Sequence, residues 1–223
     1  LRFSSIGDIV LTFPVVAALK AAYPECQIDY VTKPAFRHLL EACPGLSHIF
    51  TLEGPVRQLR KEVNFKAYDA VLDLHHNLRT LLLTAFSGAK VYKYPKNNWN
   101  KWLLTKFKIK QEGRQHVVER YLSTLKQAFG LEVLAPENPY EIPESEQFSI
   151  QDATGFTPRK YVAFAIGAQF ATKRLPTDLM IKLLQKMEHP LVLLGGKEDQ
   201  QTANEIVAAL GGQKVVSMVG QLN

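Results

Sequence analysis

The first two dozen residues, from Leu1 to Pro24, constrain the fold of this chain more than any other stretch. The end of a predicted strand leads into a polar turn, which consists of Ser4, Ser5, Gly7 and Asp8. The following helix, predicted from Ile9 to Ala22, is so apolar that we expect burial on nearly every face. In an open α/β sheet such a turn lies at the carboxyl edge of the strands, where ligands bind.

Asp8 admits two interpretations from its position. It could be the N-cap of the apolar helix, with its carboxylate accepting hydrogen bonds from first-turn amides. It could also be a catalytic carboxylate, since Gly7 would let a ligand approach the backbone closely. Position alone favours the cap, because caps are far commoner than catalytic bases.

Strands and helices alternate along most of the chain. Predicted strands cover 27–32, 47–52, 68–74, 90–94, 160–166, 190–194 and 215–219. Predicted helices after the first cover 35–43, a segment ending near Phe65, 80–86, 117–129, 177–187 and 198–210. This alternation predicts right-handed βαβ units, parallel sheets and therefore a doubly wound, Rossmann-like α/β fold.

The segment 134–158 is rich in Pro, Glu, Ser and Gln, and we interpret it as a linker between two domains. The predicted domains are residues 1–150 and 151–223. Three strands and two helices are few for an independent core, so we expect the chain to be a fragment of a longer protein.

The composition is that of an ordinary soluble protein, with 46% hydrophobic and 22% charged residues. No stretch approaches the length of a membrane span, and no secretory leader is evident. Two cysteines, Cys26 and Cys43, fit a reducing cytoplasm.

Basic residues are concentrated between Ala89 and Gln111, where seven lysines occur without a carboxylate. An anionic partner is therefore expected. This lysine-rich segment could be a solvated face, a nucleic-acid surface or a patch that touches anionic lipid head groups.

Two loops of the second half end predicted strands. In Gly167-Ala-Gln-Phe-Ala-Thr-Lys-Arg-Leu-Pro176, Lys173 lies just before a helix N-terminus, where its charge would add to the positive end of the helix dipole. It could equally be a solvated loop lysine. In Leu193-Leu-Gly-Gly-Lys-Glu-Asp199, the glycines form a turn and the acids start a helix, where the dipole favours them.

Five blocks of the chain resemble glycosyltransferase family 9, the bacterial heptosyltransferases that build the inner core of lipopolysaccharide. The N-terminal block is Arg2-Phe-Ser-Ser-Ile-Gly-Asp-Ile-Val-Leu-Thr-Phe-Pro14. The two loops just described form two more, and the acceptor-side sequences His75-His-Asn-Leu-Arg79 and His116-Val-Val-Glu-Arg120 complete the resemblance.

The resemblance implies an inverting transfer of a sugar, a heptose from ADP-heptose, onto an inner-core lipopolysaccharide lipid. Asp8 would be the general base and Lys173 would contact the diphosphate. Asp199, or its neighbour Glu198, would contact the ribose. The remaining implied donor-binding residues are Ala168, Gln169, Gly195 and Gly196. The implied acceptor-binding residues are Ser4, Ser5, Gly7, Asn77, Arg79, His116 and Arg120.

The resemblance further implies the GT-B arrangement, in which two Rossmann-like domains face a cleft. Residues 1–150 would bind the acceptor, and residues 151–223 would begin the nucleotide-sugar domain, incomplete in this chain. We expect no metal and no cofactor besides the nucleotide-sugar co-substrate. The expected partners are this donor and an anionic lipid-linked saccharide, with peripheral contact at the cytoplasmic face of the inner membrane of a Gram-negative bacterium.

Two departures from the family pattern matter. Leu175 stands where the family often has Trp, and an Asp-Thr-Gly-x-x-His block of the donor pocket would lie past Asn223. We therefore expect the 223-residue chain to be inactive alone. The alternative is a non-enzymatic nucleic-acid-binding α/β protein that uses segment 89–111. A nicotinamide-dependent oxidoreductase is disfavoured, since no Gly-x-Gly-x-x-Gly follows a predicted strand.

Overall fold

Residues Leu1–Glu146 and Gln147–Asn223 form two compact units in the computed structural model of the protein. The structure describes residues 1–85, 87–96, 115–134, 140–142, 144–168, 170–211 and 214–222. The prediction set the domain boundary after residue 150, and the acceptor and donor roles of the two units stay predictions.

The first unit contains two pairs of parallel strands. Strand β1 (Asp29–Thr32) pairs with β2 (His48–Thr51), with Asp29 opposite His48. Strand β3 (Val71–Asp73) pairs with β4 (Val91–Lys93), with Val71 opposite Val91. All four lie within predicted strands and are shorter than predicted.

The segment Leu1–Phe3 joins the two pairs. The Arg2 amide donates to the Val31 carbonyl at 3.1 Å, on the β1 side. On the β3 side, the Leu1 nitrogen donates to Leu72 O at 2.7 Å and the Leu74 amide donates to Leu1 O at 3.2 Å. The spatial order is thus β2, β1, Leu1–Phe3, β3, β4. The chain order reverses on either side of the first segment, as in the doubly wound fold that was predicted.

Helices cover both faces of these strands. The helices in the described part of this unit are α1 (Ile6–Val10), α2 (Phe13–Ala22), α3 (Arg37–Glu41), α4 (Val56–Glu62), α5 (Leu78–Thr84) and α6 (Val117–Phe129). Tyr30 packs with Phe13 of α2, whereas the next residue, Val31, packs with Leu59 of α4 and Leu83 of α5. Since consecutive strand residues point to opposite faces, each face has its own helical layer.

The prediction of one helix from Ile9 to Ala22 was wrong. Helix α1 begins earlier, at Ile6, and a turn at Leu11 and Thr12 separates it from α2. The cause is Pro14, which lacks an amide hydrogen and cannot lie in the middle of a continuous helix but is tolerated in the first turn of α2. The Thr12 hydroxyl closes the turn by donating to Ile9 O at 2.7 Å.

Helix α6 has the predicted bounds, and its apolar face packs on α2. Tyr121, Leu122 and Leu125 share a buried cluster with Val15 and Leu19. The helix ends at Gly130, whose φ of 70° is the left-handed conformation that favours glycine at a helix end.

The second unit repeats the βα rhythm in a smaller form. Its strands β5 (Val162–Ala165), β6 (Leu191–Leu194) and β7 (Val215–Ser217) are parallel and lie in that order. Helices α8 (Thr177–Leu184) and α9 (Gln200–Leu210) pack on them, preceded in the chain by α7 (Ile150–Thr154).

The predicted linker 134–158 contains the boundary between the two units, and it also contains helix α7. The Ser149 hydroxyl accepts a hydrogen bond from Asp152 N at 3.2 Å and starts the helix, and Gly155 at φ 74° ends it. In the described residues, no helix is both long and apolar enough to cross a bilayer.

Candidate functional site

The Asp8 turn follows Leu1–Phe3 at the point where the strand order reverses. The loop His75–Asn77 follows the neighbouring strand β3 and ends at the same edge. In doubly wound sheets, ligands bind in the crevice at the carboxyl ends of the strands, where the order reverses. The fold therefore places the Asp8 turn where a ligand site is expected.

A buried arginine holds the Asp8 carboxylate. Arg2 Nη2 lies 2.6 Å from Asp8 Oδ2, and the side chains of Arg2 and Asp8 are 9% and 39% exposed. The rest of the guanidinium is held by backbone, because Nε donates to Ser4 O at 2.8 Å and Nη1 donates to Leu74 O at 2.7 Å. The ion pair is thus anchored to β3 on one side and to the polar turn on the other.

Ser5 binds the same oxygen of Asp8. Its hydroxyl donates to Oδ2 at 3.0 Å and its amide donates to Oδ2 at 3.3 Å. Ser5, and not Asp8, is the N-cap of α1, and Asp8 occupies the third helical position. Among the described residues, no hydrogen bond reaches Asp8 Oδ1. Oδ2 is therefore held by Arg2 and Ser5, and Oδ1 is open to a ligand.

Charge near Asp8 sets its protonation state. Partial burial raises the pKa of the Asp8 carboxyl, but the Arg2 guanidinium and the hydrogen bonds from Ser5 and Arg2 outweigh burial and leave this pKa below its usual value. Asp8 is accordingly an anion at neutral pH, which is the state a proton acceptor needs.

A second carboxylate, that of Asp73, is fully buried and organises the loop after β3. Asp73, the last residue of β3, accepts hydrogen bonds at Oδ1 from His75 N at 3.1 Å and from His76 N at 2.7 Å. Its Oδ2 atom is buried without a hydrogen-bond partner among the described residues. Asp73 was not among the predicted site residues, although a carboxylate that ends a buried strand is a usable signal in the sequence.

His75 is neutral at physiological pH. Burial, followed by the nearby Arg2 charge, lowers the pKa of His75 to about 4. Its ring lies 5.3 Å from the ring of Phe3, centroid to centroid, so packing fixes the side chain beside the first segment.

Asn77 caps helix α5. Its Oδ1 accepts from Thr80 N at 2.9 Å, and the Thr80 hydroxyl accepts from Asn77 N at 3.0 Å. The Asn77 oxygen is therefore engaged in the fold, whereas Arg79 on the same helix is exposed.

His116 likewise caps α6, since its Nδ1 accepts from Val118 N at 3.3 Å. Arg120, one turn further along, donates from Nη1 to Pro95 O at 3.3 Å, and its guanidinium lies 5.9 Å from the Tyr94 ring. Arg120 Nε is buried without a partner in the described part of the chain.

Aromatic rings connect Arg120 to the Asp8 turn. The rings of Tyr94 and Tyr121 lie 5.0 Å apart edge to face, and the Arg2 guanidinium lies 5.9 Å from the Tyr121 ring. The structure thus brings Arg2, Asp8 and Arg120 into one cluster through Tyr94 and Tyr121, two residues that sequence reasoning did not assign to the site.

Of the lysine-rich segment, only residues up to Lys96 are described. Lys96 Nζ donates to the His76 carbonyl, which ties the start of this segment to the loop after β3. The lysines of this segment beyond residue 96, together with Trp99 and Trp102, lie outside the described residues.

In the second unit, Lys173 stands on an exposed loop after β5. Its Nζ lies 5.7 Å from the Phe170 ring centroid, and residues Ala171–Lys173 form a single 3₁₀ turn. Ala168 is half-buried, and Gln169 lies outside the described residues. The Lys173 ammonium is accessible to an anionic ligand.

The two acids after β6 lie in different surroundings. Asp199 is buried and bound by protein groups, whereas Glu198 is exposed and folds back over Gly196. This placement favours Glu198 over Asp199 as the group that a ligand could reach.

A cavity of about 1000 Å³ lies at the other edge of the first unit, with Leu1, Asp29 and Val71 in its lining. Asp29 there is satisfied by Tyr68, which donates to it, and by His48 at 3.2 Å. We place the functional site at the Asp8 edge because the charged and unsatisfied groups lie there.

In the described residues, no three His, Cys, Asp or Glu side chains are grouped so as to hold a metal ion.

Comparison with known proteins agrees with the fold. The chain is 24% identical to lipopolysaccharide heptosyltransferase 2 of Escherichia coli K12 over 95% of its own length and 66% of that protein. It thus spans about two thirds of the length of this curated relative.

Solved structures show the same fold. Glycosyl transferase family 9 from Veillonella parvula superposes with a TM-score of 0.74 at 20% identity, covering 99% of this chain and 69% of that one. Escherichia coli heptosyltransferase WaaC with ADP gives a TM-score of 0.64 at 19% identity, with 97% and 74% covered.

The family model for glycosyltransferase family 9 (heptosyltransferase) matches residues 56–223. This match covers both the loop after β3 and the loops of the second unit, and the alignment with the Escherichia coli relative extends over nearly the whole chain. With the doubly wound fold and the charged cluster at its switch point, these matches show that the chain belongs to glycosyltransferase family 9.

Proposed function

We propose that this chain carries the acceptor side and part of the donor side of an inverting glycosyltransferase. The reaction moves a sugar, a heptose from ADP-heptose, onto an inner-core lipopolysaccharide lipid. Asp8 is the general base and Lys173 binds the diphosphate. The observation that carries the proposal is the Asp8 carboxylate, which is anionic, held at one oxygen by Arg2 and open at the other.

The proposed chemistry begins at the open oxygen. An acceptor hydroxyl donates a hydrogen bond to Asp8 Oδ1, and its proton passes to this oxygen as the hydroxyl oxygen attacks the anomeric carbon. The bond to the nucleoside diphosphate breaks on the opposite face, which inverts the configuration. Arg2 and Ser5 keep Oδ2 fixed, so that little reorganisation accompanies the transfer.

The departing diphosphate requires positive charge. Lys173 supplies an exposed ammonium, and helix α8 begins four residues later at Thr177 with its positive dipole end. The proposed donor nucleotide is ADP, the nucleotide present in the solved structure of Escherichia coli heptosyltransferase WaaC. Glu198 is the proposed ribose contact, and neither a metal nor a cofactor is part of the proposal.

On the acceptor side, the proposed contacts are Arg79, Arg120 and the polar turn at Ser4, Ser5 and Gly7. Arg120 supports this role because its Nε is buried without a partner in the described residues. Asn77 and His116 serve the site by capping the helices that carry Arg79 and Arg120. The lysine-rich segment is the proposed contact with anionic head groups at the inner membrane, on the cytoplasmic face.

A binding screen with ADP-, UDP- and GDP-sugars tests the function. Calorimetry of the natural-length protein is expected to show saturable binding of the ADP-sugar alone. Salt-sensitive binding of DNA or RNA, with no nucleotide-sugar binding, would instead support the nucleic-acid alternative. The family match favours the enzyme, because the matched residues include both loops that carry Lys173 and Glu198.

A further inference from the structure

We propose that Asp199 and Arg174 are a pair of positioning residues, joining the loop after β5 to the turn after β6, and that Asp199 acts on the donor through Lys173 without touching the nucleotide. This inference deepens the proposed function and rests on it. It differs from the role that the family resemblance implies for Asp199, which is a ribose contact.

Asp199 is enclosed by protein. Its side chain is 3% exposed, Oδ2 accepts a hydrogen bond from Gly196 N at 3.0 Å, and Oδ1 lies 3.2 Å from Arg174 Nη2. Both oxygens are therefore engaged. A ribose hydroxyl has no exposed carboxylate oxygen to bind.

Glycines make this enclosure possible. A side-chain carbon at Gly167 would overlap Asp199 Oδ2, and one at Gly195 would lie 3.0 Å from the same atom. Gly167 follows β5 and Gly195 follows β6, so the carboxylate sits between the ends of two adjacent strands. Close approach of a carboxylate to backbone explains the glycines without any ligand contact.

Arg174 carries the connection to the other loop. While Nη2 pairs with Asp199, Nε donates to the Ala168 carbonyl at 2.5 Å. The planar guanidinium can donate to the Ala168 carbonyl and to the Asp199 carboxylate at the same time, in a geometry that a lysine ammonium cannot reproduce. Ala168 and the 170–174 turn are thereby both tied to the buried carboxylate through Arg174.

Lys173 is the residue immediately before Arg174 and is thus positioned by the pair. The amides of Lys173 and Arg174 donate to Phe170 O at 2.9 Å and Ala171 O at 3.1 Å, which completes a tight turn. Without the ion pair, this exposed loop would sample more conformations. The free-energy cost of ordering the loop would then weaken diphosphate binding. The pair therefore acts on ligands that carry a diphosphate.

Calorimetric titration with ADP and with adenosine separates the two roles of Asp199. For a positioning pair, Arg174→Met and Asp199→Asn each weaken ADP binding by about tenfold, and the double variant is no weaker than either one. Adenosine binding is unchanged, since it lacks the diphosphate. Arg174→Lys is expected to recover part of the loss, and Lys186→Met, an exposed residue beyond the end of α8, is the matched control.

Equal losses for ADP and adenosine in Asp199→Asn, additive with Arg174→Met, would show a ribose contact and overturn the proposal. Hydrogen exchange tests the connection between the two loops without any nucleotide. In Arg174→Met, amides of the 170–174 turn and Gly196 should exchange faster than in the wild type. Unchanged exchange would by itself refute the claim that the Arg174–Asp199 pair connects the two loops. A wild-type protein that binds no ADP would refute the proposed function, while the exchange data would still decide whether the two loops are joined.

Discussion

Arg2 Nη2 lies 2.6 Å from Asp8 Oδ2, and the same guanidinium donates to the Leu74 carbonyl at the end of β3. The proposed base is therefore oriented by a residue from the first segment of the sheet and by the strand beside it. Of these two contacts, only the one to Leu74 is distant in sequence, since Arg2 and Leu74 are 72 residues apart.

Removing the Asp8 carboxylate should stop turnover and leave donor binding intact. In the natural-length protein, Asp8→Asn and Asp8→Ala are expected to lower kcat by about 10²- to 10⁴-fold, the usual contribution of a general base. ADP binding by calorimetry should stay within error, because Asp8 lies in the first unit and Lys173 in the second. Asp69→Asn, an exposed carboxylate on the same unit, is the control. Retained turnover in Asp8→Asn would remove Asp8 from its role.

Removing the Arg2 charge should move the pH dependence of the reaction. Because Arg2 holds the pKa of Asp8 down, Arg2→Met raises that pKa, and the acid limb of the kcat/KM profile shifts to higher pH. Arg2→Lys keeps a positive charge and should give a smaller shift. Arg57→Met, at an exposed arginine on α4, should leave the profile unchanged. An unmoved acid limb in a folded Arg2→Met protein would contradict this assignment.

His75 should make the protein less stable in mild acid. Its folded-state pKa is about 4, below the ordinary value of 6.5, so between these values the unfolded chain binds the extra proton. The free energy of unfolding should therefore fall as the pH is lowered from about 6.5 to 4. Urea unfolding of the wild type and His75→Gln across this range measures the effect, and the variant should lose part of the slope. Equal slopes would show that His75 is not the titrating group.

Gly167→Ala should destabilise the second unit. The new methyl group would overlap Asp199 Oδ2, and overpacking of this kind costs about 1–3 kcal/mol. Gly195→Ala should cost less, because its methyl group would lie 3.0 Å from the same oxygen. Thermal unfolding compares the two variants. Adding Asp199→Ala should recover part of the loss in Gly167→Ala, and the absence of any recovery would place the clash elsewhere.

Several elements followed directly from local sequence. Helix α6 has the predicted bounds because its apolar residues recur at helical spacing and Gly130 ends it in the left-handed conformation. The strands of both units were found where apolar, β-branched runs occur, although their paired portions are shorter. The break between α1 and α2 was missed, because the apolar run concealed the effect of Pro14.

Site residues were harder to assign from sequence. The signature that contains Asp8 predicted the polar turn, and the structure places it at the carboxyl edge of Leu1–Phe3 as expected. Sequence spacing could not show that Asn77 and His116 serve as helix caps, nor that Asp199 is buried while Glu198 is exposed. Each of these outcomes depends on which backbone groups come within hydrogen-bonding distance once the chain is folded.

Local sequence was sufficient to predict the α/β class, the order of strands and helices, the polar turn at Asp8 and the family to which the motifs point. These properties depend on periodicity and on neighbouring residues, which act over a few positions of chain. The folded chain was needed to show that the Arg2 guanidinium binds the Leu74 carbonyl after β3 and that Arg174 of one loop binds Asp199 of the next. Such contacts unite segments distant in sequence, and burial and charge pairing select them after the strands have been brought side by side.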